Sequence, residues 1–498
     1  MDLFGESLSF AAGFFLLLAL ALALSFEFVN GFHDTANAVA TVIYTNTLKP
    51  SFAVVWSGCW NLIGVLVSTG GVAYSVVALL PVELVLNSGS GAGFAMIFAL
   101  LISAIIWNVG TWYLGIPASS SHTLFGAIIG VGMANSIMTG HGWAAGINWG
   151  KAQDIGMALI VSPLVGFICA GLLLLLLKLL VKREDLYKAP EGKNPPPLWI
   201  RICLIGTCTG VSYAHGSNDG QKGMGLIMLI LVGLAPGAFA LNMNLGADSV
   251  QTTTTELRQV VTTLQSQAGT TTVTQDEATA ELTAFIKPTG GKPTEKTYAA
   301  IIEQSQTVAD DLTNANVKTF GDLTRDQRIA LRSDIYLVGE SLAKLLKKNL
   351  ITDATAAKQL KKTNSDLSTV TKYIPTWVKV AVALALGLGT MIGWKRIVVT
   401  VGEKIGKAHL TYAQGFSAEI IAYATIQAAD NYSLPVSTTH VLSSGIAGTM
   451  AANGSGLQRD TLISILMAWV LTLPVCIFLG ASLFSASLYV TLHIFGVQ

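Results

Sequence analysis

Gly31-Phe32-His33-Asp34-Thr35-Ala36-Asn37 returns later in the chain as Gly216-Ser217-Asn218-Asp219-Gly220-Gln221-Lys222. A second stretch, Pro117-Ala118-Ser119-Ser120-Ser121-His122-Thr123-Leu124, returns as Pro435-Val436-Ser437-Thr438-Thr439-His440-Val441-Leu442. Asp34 stands 83 positions before Pro117, and Asp219 stands 216 positions before Pro435, an excess of 133. Residues 245–374 account for the excess. That block holds 15 acidic and 15 basic residues, about half of the chain's charges, and no cysteine. Without it the two halves have nearly equal spacing, so the chain reads as an internal duplication with an insertion in its second copy.

The composition places the duplication in a membrane. Of 498 residues, 52% are hydrophobic and 12% charged, against roughly 25% charged in a soluble protein. Apolar runs near 9–30, 52–80, 94–113, 123–139, 155–181, 199–214, 224–241, 376–394, 412–429, 436–452 and 460–492 approach the ~20 residues that a spanning helix needs. No Lys or Arg precedes the first run and no small-residue cleavage site follows it, so it reads as a retained span and not a signal peptide. The net charge of +1 and the lack of a separate basic patch give no support to nucleic-acid binding. Cys59, Cys169, Cys203, Cys208 and Cys476 all fall in apolar runs and are expected to be buried free thiols.

These observations predict an all-α polytopic membrane protein of two inverted-topology repeats, about five crossings each with broken helices, plus a soluble helical insertion. The expected segments are 1–181 for repeat one, 182–198 for a linker ending in Pro195-Pro196-Pro197, 199–244 and 375–498 for repeat two, and 245–374 for the insertion. Periodic apolar positions in Leu323–Leu350 predict the insertion's clearest helix, with shorter ones in Thr274–Ile286 and Ala299–Leu312. Lys182, Arg183, Lys188, Lys193 and Arg201 mark the linker as cytoplasmic, as do Lys395, Arg396, Lys404 and Lys407 for the loop after Trp394. With 9–45 and 199–241 each taken as one broken crossing, an odd number per half inverts the second half. Both termini and the insertion then lie on the periplasmic side of an inner membrane.

The motifs carry the chemistry. An ionisable side chain at mid-membrane costs at least ~2.5 kcal/mol and is a functional candidate by default. Gly31 and Gly216 would let the helix break, freeing carbonyls to hold a cation beside Asp34 and Asp219; the same carboxylates could instead cap a helix after the break. Both are candidate cation, metal or proton sites. Ser119, Ser120 and Ser121, with Ser437, Thr438 and Thr439, follow a proline and precede an apolar run. Such helix starts present free N–H groups and a positive dipole end, an anion site without net charge that suits phosphate; plain N-capping is the alternative. His122 and His440 recur as relay or structural residues, and His33 lies within the first motif. Glu27, two turns before Asp34, is a second proton-carrier candidate. Asn37 corresponds to Lys222, whose ammonium could pair with Asp219 and repel a metal ion; this favours proton over sodium coupling.

At these residues the sequence resembles the inorganic phosphate transporter (Pit) family. The likeness spans roughly 9–244 and 375–495 and is strongest toward bacterial low-affinity Pit proteins. It implies secondary active import of phosphate by proton symport, the phosphate travelling as a neutral complex with a divalent metal such as Mg, Ca or Zn. It further implies that Asp34, Asn37, Asn218, Asp219, Ser119, Ser120, Ser121, Ser437, Thr438 and Thr439 bind cation or phosphate. The expected partners are phosphate, protons, the co-transported metal and the lipid bilayer, with no permanently bound cofactor; a homodimer is compatible with this reading. The rival readings are a symporter for sulfate or another oxyanion, an intramembrane Ser/His hydrolase and an ion channel. Duplication weighs against the hydrolase, which needs one nucleophile, and no nucleotide-binding loop is present.

Overall fold

A computed structural model describes residues 1–79, 91–140, 142–190, 192, 194–287 and 290–493; Lys193, used above to orient the linker, lies outside them. Among the described residues the secondary-structure elements are helices, joined by turns and loops, apart from a hairpin of β1 (Asp2–Leu3) and β2 (Glu6–Ser7). The first half contains α1 (Phe10–Asp34), α2 (Ala36–Tyr44), α3 (Pro50–Val67), α4 (Gly71–Val77), α5 (Gly91–Tyr113), α6 (Ser120–Met138) and α7 (Trp149–Leu180). Next come α8 (Leu198–Leu234) and the short α9 (Pro236–Phe239). The helices α10 (Ser249–Ala268), α11 (Gln275–Ile286), α12 (Glu295–Ala315), α13 (Arg325–Lys347) and α14 (Ala354–Thr371) follow. The chain closes with α15 (Thr376–Met391), α16 (Lys395–Glu403), α17 (Tyr412–Asn431), α18 (Thr438–Asn453) and α19 (Arg459–His493).

Among the described residues, five helical stretches are long and apolar enough to cross a membrane: Phe10–Tyr44, Pro50–Val67, Gly91–Tyr113, Trp149–Leu180 and Arg459–Thr491. A bent pair, Ala354–Thr371 with Thr376–Met391, would add a sixth. Several of the other apolar runs form the helices that carry or adjoin the polar motifs, α6, α8, α17 and α18. The residues that could do chemistry are what make these helices less apolar.

Contacts divide the chain into two compact units. One gathers residues 1–16 and 228–374, the other residues 17–79, 91–227 and 375–493. In the first, α10 to α14 close over Leu257, Leu264, Leu282, Phe285, Ile301, Val308, Leu331, Ile335, Leu342, Leu360 and Leu367. The many threonines have a local purpose: Thr274, Thr294 and Thr324 each form a capping box at the start of α11, α12 and α13. The helices α10 and α14 were not expected from the sequence; their Thr, Gln and Lys content hides a narrow apolar stripe. The β-hairpin belongs to this unit, with Phe4 edge-on to Phe239.

The second unit is packed reciprocally. Helix α6 lies on α19 and α18 lies on α7, while α3 meets α15. The crossings are made at glycines. A Cβ at Gly130 would stand 2.1 Å from the Ile477 carbonyl oxygen, and one at Gly448 would stand 2.0 Å from that of Phe167. Small residues let helix backbones approach this closely in membranes.

Two expectations are corrected here. Helix α8 runs unbroken through Gly216, and the first crossing breaks at Thr35, four residues beyond Gly31. Both glycines are contact points and not hinges: a Cβ at Gly31 would meet the Leu386 carbonyl at 2.3 Å, and one at Gly216 would meet that of Asn61 at 2.1 Å. Nor are all five cysteines buried. Cys208 and Cys476 are, Cys59 and Cys203 are exposed on apolar helices, Cys169 is intermediate, and all are free thiols.

Candidate functional site

The two hydroxyl-bearing helix starts form as their sequence dictates. Pro117 and Pro435 precede an extended Ser119 and Ser437, whose side chains accept from the backbone N–H of His122 (3.2 Å) and His440 (3.1 Å). These serines are N-caps of α6 and α18. Their neighbours Ser120, Ser121, Thr438 and Thr439 are buried.

Each Asp-bearing motif meets the hydroxyl motif of the opposite half. Thr439 donates to Asp34 Oδ1 at 2.8 Å and Thr438 to Oδ2 at 3.4 Å. Asn37 Nδ2 donates to the same two hydroxyls, at 3.1 Å to Thr438 and 3.0 Å to Thr439. On the other side Lys222 Nζ lies 2.8 Å from Asp219 Oδ1 and donates to Ser121 Oγ at 2.5 Å. Ser121 in turn donates to the Val436 carbonyl at 2.7 Å. The correspondence between Asn37 and Lys222 is therefore spatial as well as sequential.

His215 joins the two sides. Its Nε2 is 3.7 Å from Asp34 Oδ2 and 3.6 Å from Asp219 Oδ2, while Nδ1 meets Asn61 Oδ1 at 3.0 Å. Asp34, His215 and Asp219 present one ligand atom each within 4.8 Å of one another, an arrangement able to hold a metal ion. His215 was not singled out in the sequence, because the first copy has Asn30 at that place. One step back from the motif's glycine would have found it.

The remaining candidates separate. Asn218 ties α8 to the turn before α18, bonding the Leu434 carbonyl and Val436 N–H. His33 bridges Asp34 (3.0 Å) and Thr111 (3.1 Å). The rings of His122 and His440 lie 4.6 Å apart, and His440 stacks on Trp469 at 3.9 Å. Glu27 is completely buried with neither oxygen hydrogen-bonded, against Gly223. Two further buried carboxylates went unassigned in the sequence: Glu419 accepts from Thr41 and Thr207, and Asp430 accepts from Ser217 (2.6 Å) and Gln221 (2.7 Å).

Polar capacity is left over at the centre. Ser120 Oγ, Asn37 Oδ1 and His215 Nε2 have no hydrogen-bond partner there. Two carboxylates face one ammonium, a formal charge of −1 with neutral imidazoles, so a cation is welcome on the carboxylate side while the helix starts attract an anion. The cavity beside Ser121, Lys222 and Pro435 is only about 10 Å³, near the minimum for one water. An oxyanion enters only if helices move.

The family model described as the phosphate transporter family matches residues 30–480. The chain belongs to that family. It is 44% identical to the low-affinity inorganic phosphate transporter PitB of Escherichia coli K12 over 95% of this chain and 96% of that one, and 44% identical to PitA over 96% and 97%. A probable low-affinity inorganic phosphate transporter of Bacillus subtilis is 30% identical over 93% and 95%. The solved structure described as the sodium-dependent phosphate transporter shares the fold, with a TM-score of 0.52 at 19% identity over 95% of this chain and 98% of that one. Membership of a transporter family replaces the hydrolase reading: this transporter's Ser, His and Asp residues belong to a carrier and not to an enzyme.

Proposed function

We propose that this chain imports inorganic phosphate by secondary active transport, as a neutral divalent metal–phosphate complex in symport with a proton. The observation that carries the proposal is the convergence of Asp34, His215 and Asp219 with two hydroxyl-bearing helix starts from opposite halves. Three ligands of that kind suit the metal half of the cargo. Ser120, Ser121, Thr438 and Thr439, with the α6 and α18 N-termini, suit the phosphate oxygens. Lys222, salt-bridged to Asp219, supplies the fixed charge that a sodium ion would otherwise bring, which supports proton coupling. Glu27, buried and without hydrogen bonds beside Gly223, is the proposed proton carrier together with Asp34 and Asp219. The two halves sit in opposite orientation in the inner membrane, with both termini periplasmic, and alternate access by rolling across the glycine crossings. One charge crossing ~100 mV yields ~2.3 kcal/mol, enough for roughly a 50-fold gradient.

Labelled-phosphate uptake into proteoliposomes tests this, with pH and sodium gradients imposed separately and magnesium present or chelated. Uptake should follow the pH gradient and need the divalent ion. Uptake that follows sodium and ignores pH would refute the coupling, and equal uptake of sulfate would refute the substrate.

A further inference from the structure

The ends of α5 and α15 meet at a cavity that the transport site does not use. It measures about 630 Å³, and its walls include Trp112, Tyr113, Trp394, Lys395, Arg396 and Lys404. The walls are held in place. Trp112 Nε1 donates to the Gly393 carbonyl at 2.7 Å, and Thr400 Oγ1 donates to that of Gly115 at 2.7 Å. Arg396 Nη1 donates to the Tyr113 carbonyl at 2.9 Å, and its guanidinium sits 5.3 Å and 4.9 Å from the ring centres of Trp112 and Tyr113. Stacking of this kind fixes the guanidinium plane and leaves further N–H groups to donate.

The charge is one-sided. Among the described residues three cations line the cavity and no carboxylate does; Glu403, beside Lys404 in sequence, is not part of the wall. Position adds a second, independent observation. Helix α5, long and apolar enough to cross a membrane, ends at Tyr113, and α15 ends two residues before Gly393. Away from the cavity these helices expose Ile106 (50%), Val109 (37%) and Leu388 (51%), and the rim exposes Leu114 (69%) and Ile392 (56%). Aromatic rings and cations above an outward apolar surface mark a membrane–water interface. Basic pockets at such a level bind anionic headgroups.

We propose that this cavity holds the phosphate headgroup of an anionic phospholipid. Arg396, with Lys395 and Lys404, grips the phosphodiester, and the acyl chains run along Ile106, Val109 and Leu388. The reading does not depend on the transport mechanism above. A lipid phosphate and free phosphate share their oxygen chemistry, so the test separates them.

The full-length protein, delipidated in neutral detergent, is titrated with phosphatidylglycerol or phosphatidylcholine and followed by native mass spectrometry. Wild type should retain phosphatidylglycerol at least ten-fold more tightly than a Lys395→Gln/Arg396→Gln/Lys404→Gln variant and show no such preference for phosphatidylcholine. Arg396→Lys, which keeps charge but loses the planar fork, should fall between them. A Lys182→Gln/Arg183→Gln variant in the central linker should behave as wild type. Melting temperature in lipid-free detergent shows that each variant is folded. Equal retention by the folded triple variant would overturn the proposal, as would displacement of the lipid by excess inorganic phosphate.

Discussion

Lys222 is the residue at which the two copies of the motif part company. Its ammonium lies 2.8 Å from Asp219 and 2.5 Å from Ser121, so it fills the place where Asn37 leaves an amide oxygen unspent. Lys222→Asn should lower proton-driven phosphate uptake by at least ~10-fold, equivalent to ~1.4 kcal/mol, and should let a sodium gradient support transport. Proteoliposome uptake under a sodium gradient at equal pH checks this. His215→Ala should raise the KM for phosphate about ten-fold in limiting magnesium, by removing one of three metal ligands, with a smaller effect when magnesium saturates; a magnesium titration of uptake separates the two. The duplicated residues were legible because a pattern that recurs in register is hard to produce by accident. Glu419 and Asp430 were not. Their partners Thr41, Thr207, Ser217 and Gln221 lie roughly two hundred positions or more away, and no local pattern announces a contact of that length.

At the level of the helix the sequence was read correctly for type and misread for the work of glycine. Gly216 was expected to break α8 because glycine permits a bend, yet the Asn61 carbonyl packs against it in a continuous helix. Propensity lost to packing: in an apolar surrounding a helix that keeps its own hydrogen bonds can use a missing side chain to approach a neighbour. Substitutions at such points should therefore be severe. Gly448→Leu puts a side chain where a Cβ would already be 2.0 Å from a carbonyl, and overpacking costs about 3 kcal/mol or more. The variant should melt well below wild type in detergent. Gly206→Ala, on α8 with nothing within 4 Å, should melt at or slightly above it, since alanine is the better helix former by roughly 0.8 kcal/mol. Thermal-shift measurements on the purified variants distinguish the outcomes.

For the molecule as a whole, the insertion is a separate problem in folding. It has its own core and its own titration. Burial, reinforced by Asp311, pushes the Asp334 carboxyl up to about 6 against a hydrogen bond from Gln304; unfolded, it returns to ~3.9. The folded state then binds the proton more tightly. Stability from this group is fully present below pH ~4 and is lost as pH rises through about 6. A fragment of residues 240–374 should thus melt at a higher temperature at pH 5 than at pH 7.5, and Asp334→Asn should remove most of that difference, as circular dichroism melts will show.

The glycine crossings also set an order of events during synthesis. Gly31 packs on Leu386, Asn61 on Gly216, Gly130 on Ile477 and Phe167 on Gly448, so every one of these pairs joins the first half to the second. First-half helices do meet one another, as α5 does α6 and α2 does α3, but these glycine crossings wait for the second half. The segment carrying Asp34 is in the bilayer long before α15 has left the ribosome, and the whole insertion must be made in between. Contacts of such sequence separation form late and leave incomplete intermediates exposed. The glycine surfaces of the nascent first half therefore stay uncovered until their counterpart is translated. Anything that slows elongation between α9 and α15 lengthens that interval and should raise the share of chains surrendered to membrane proteolysis.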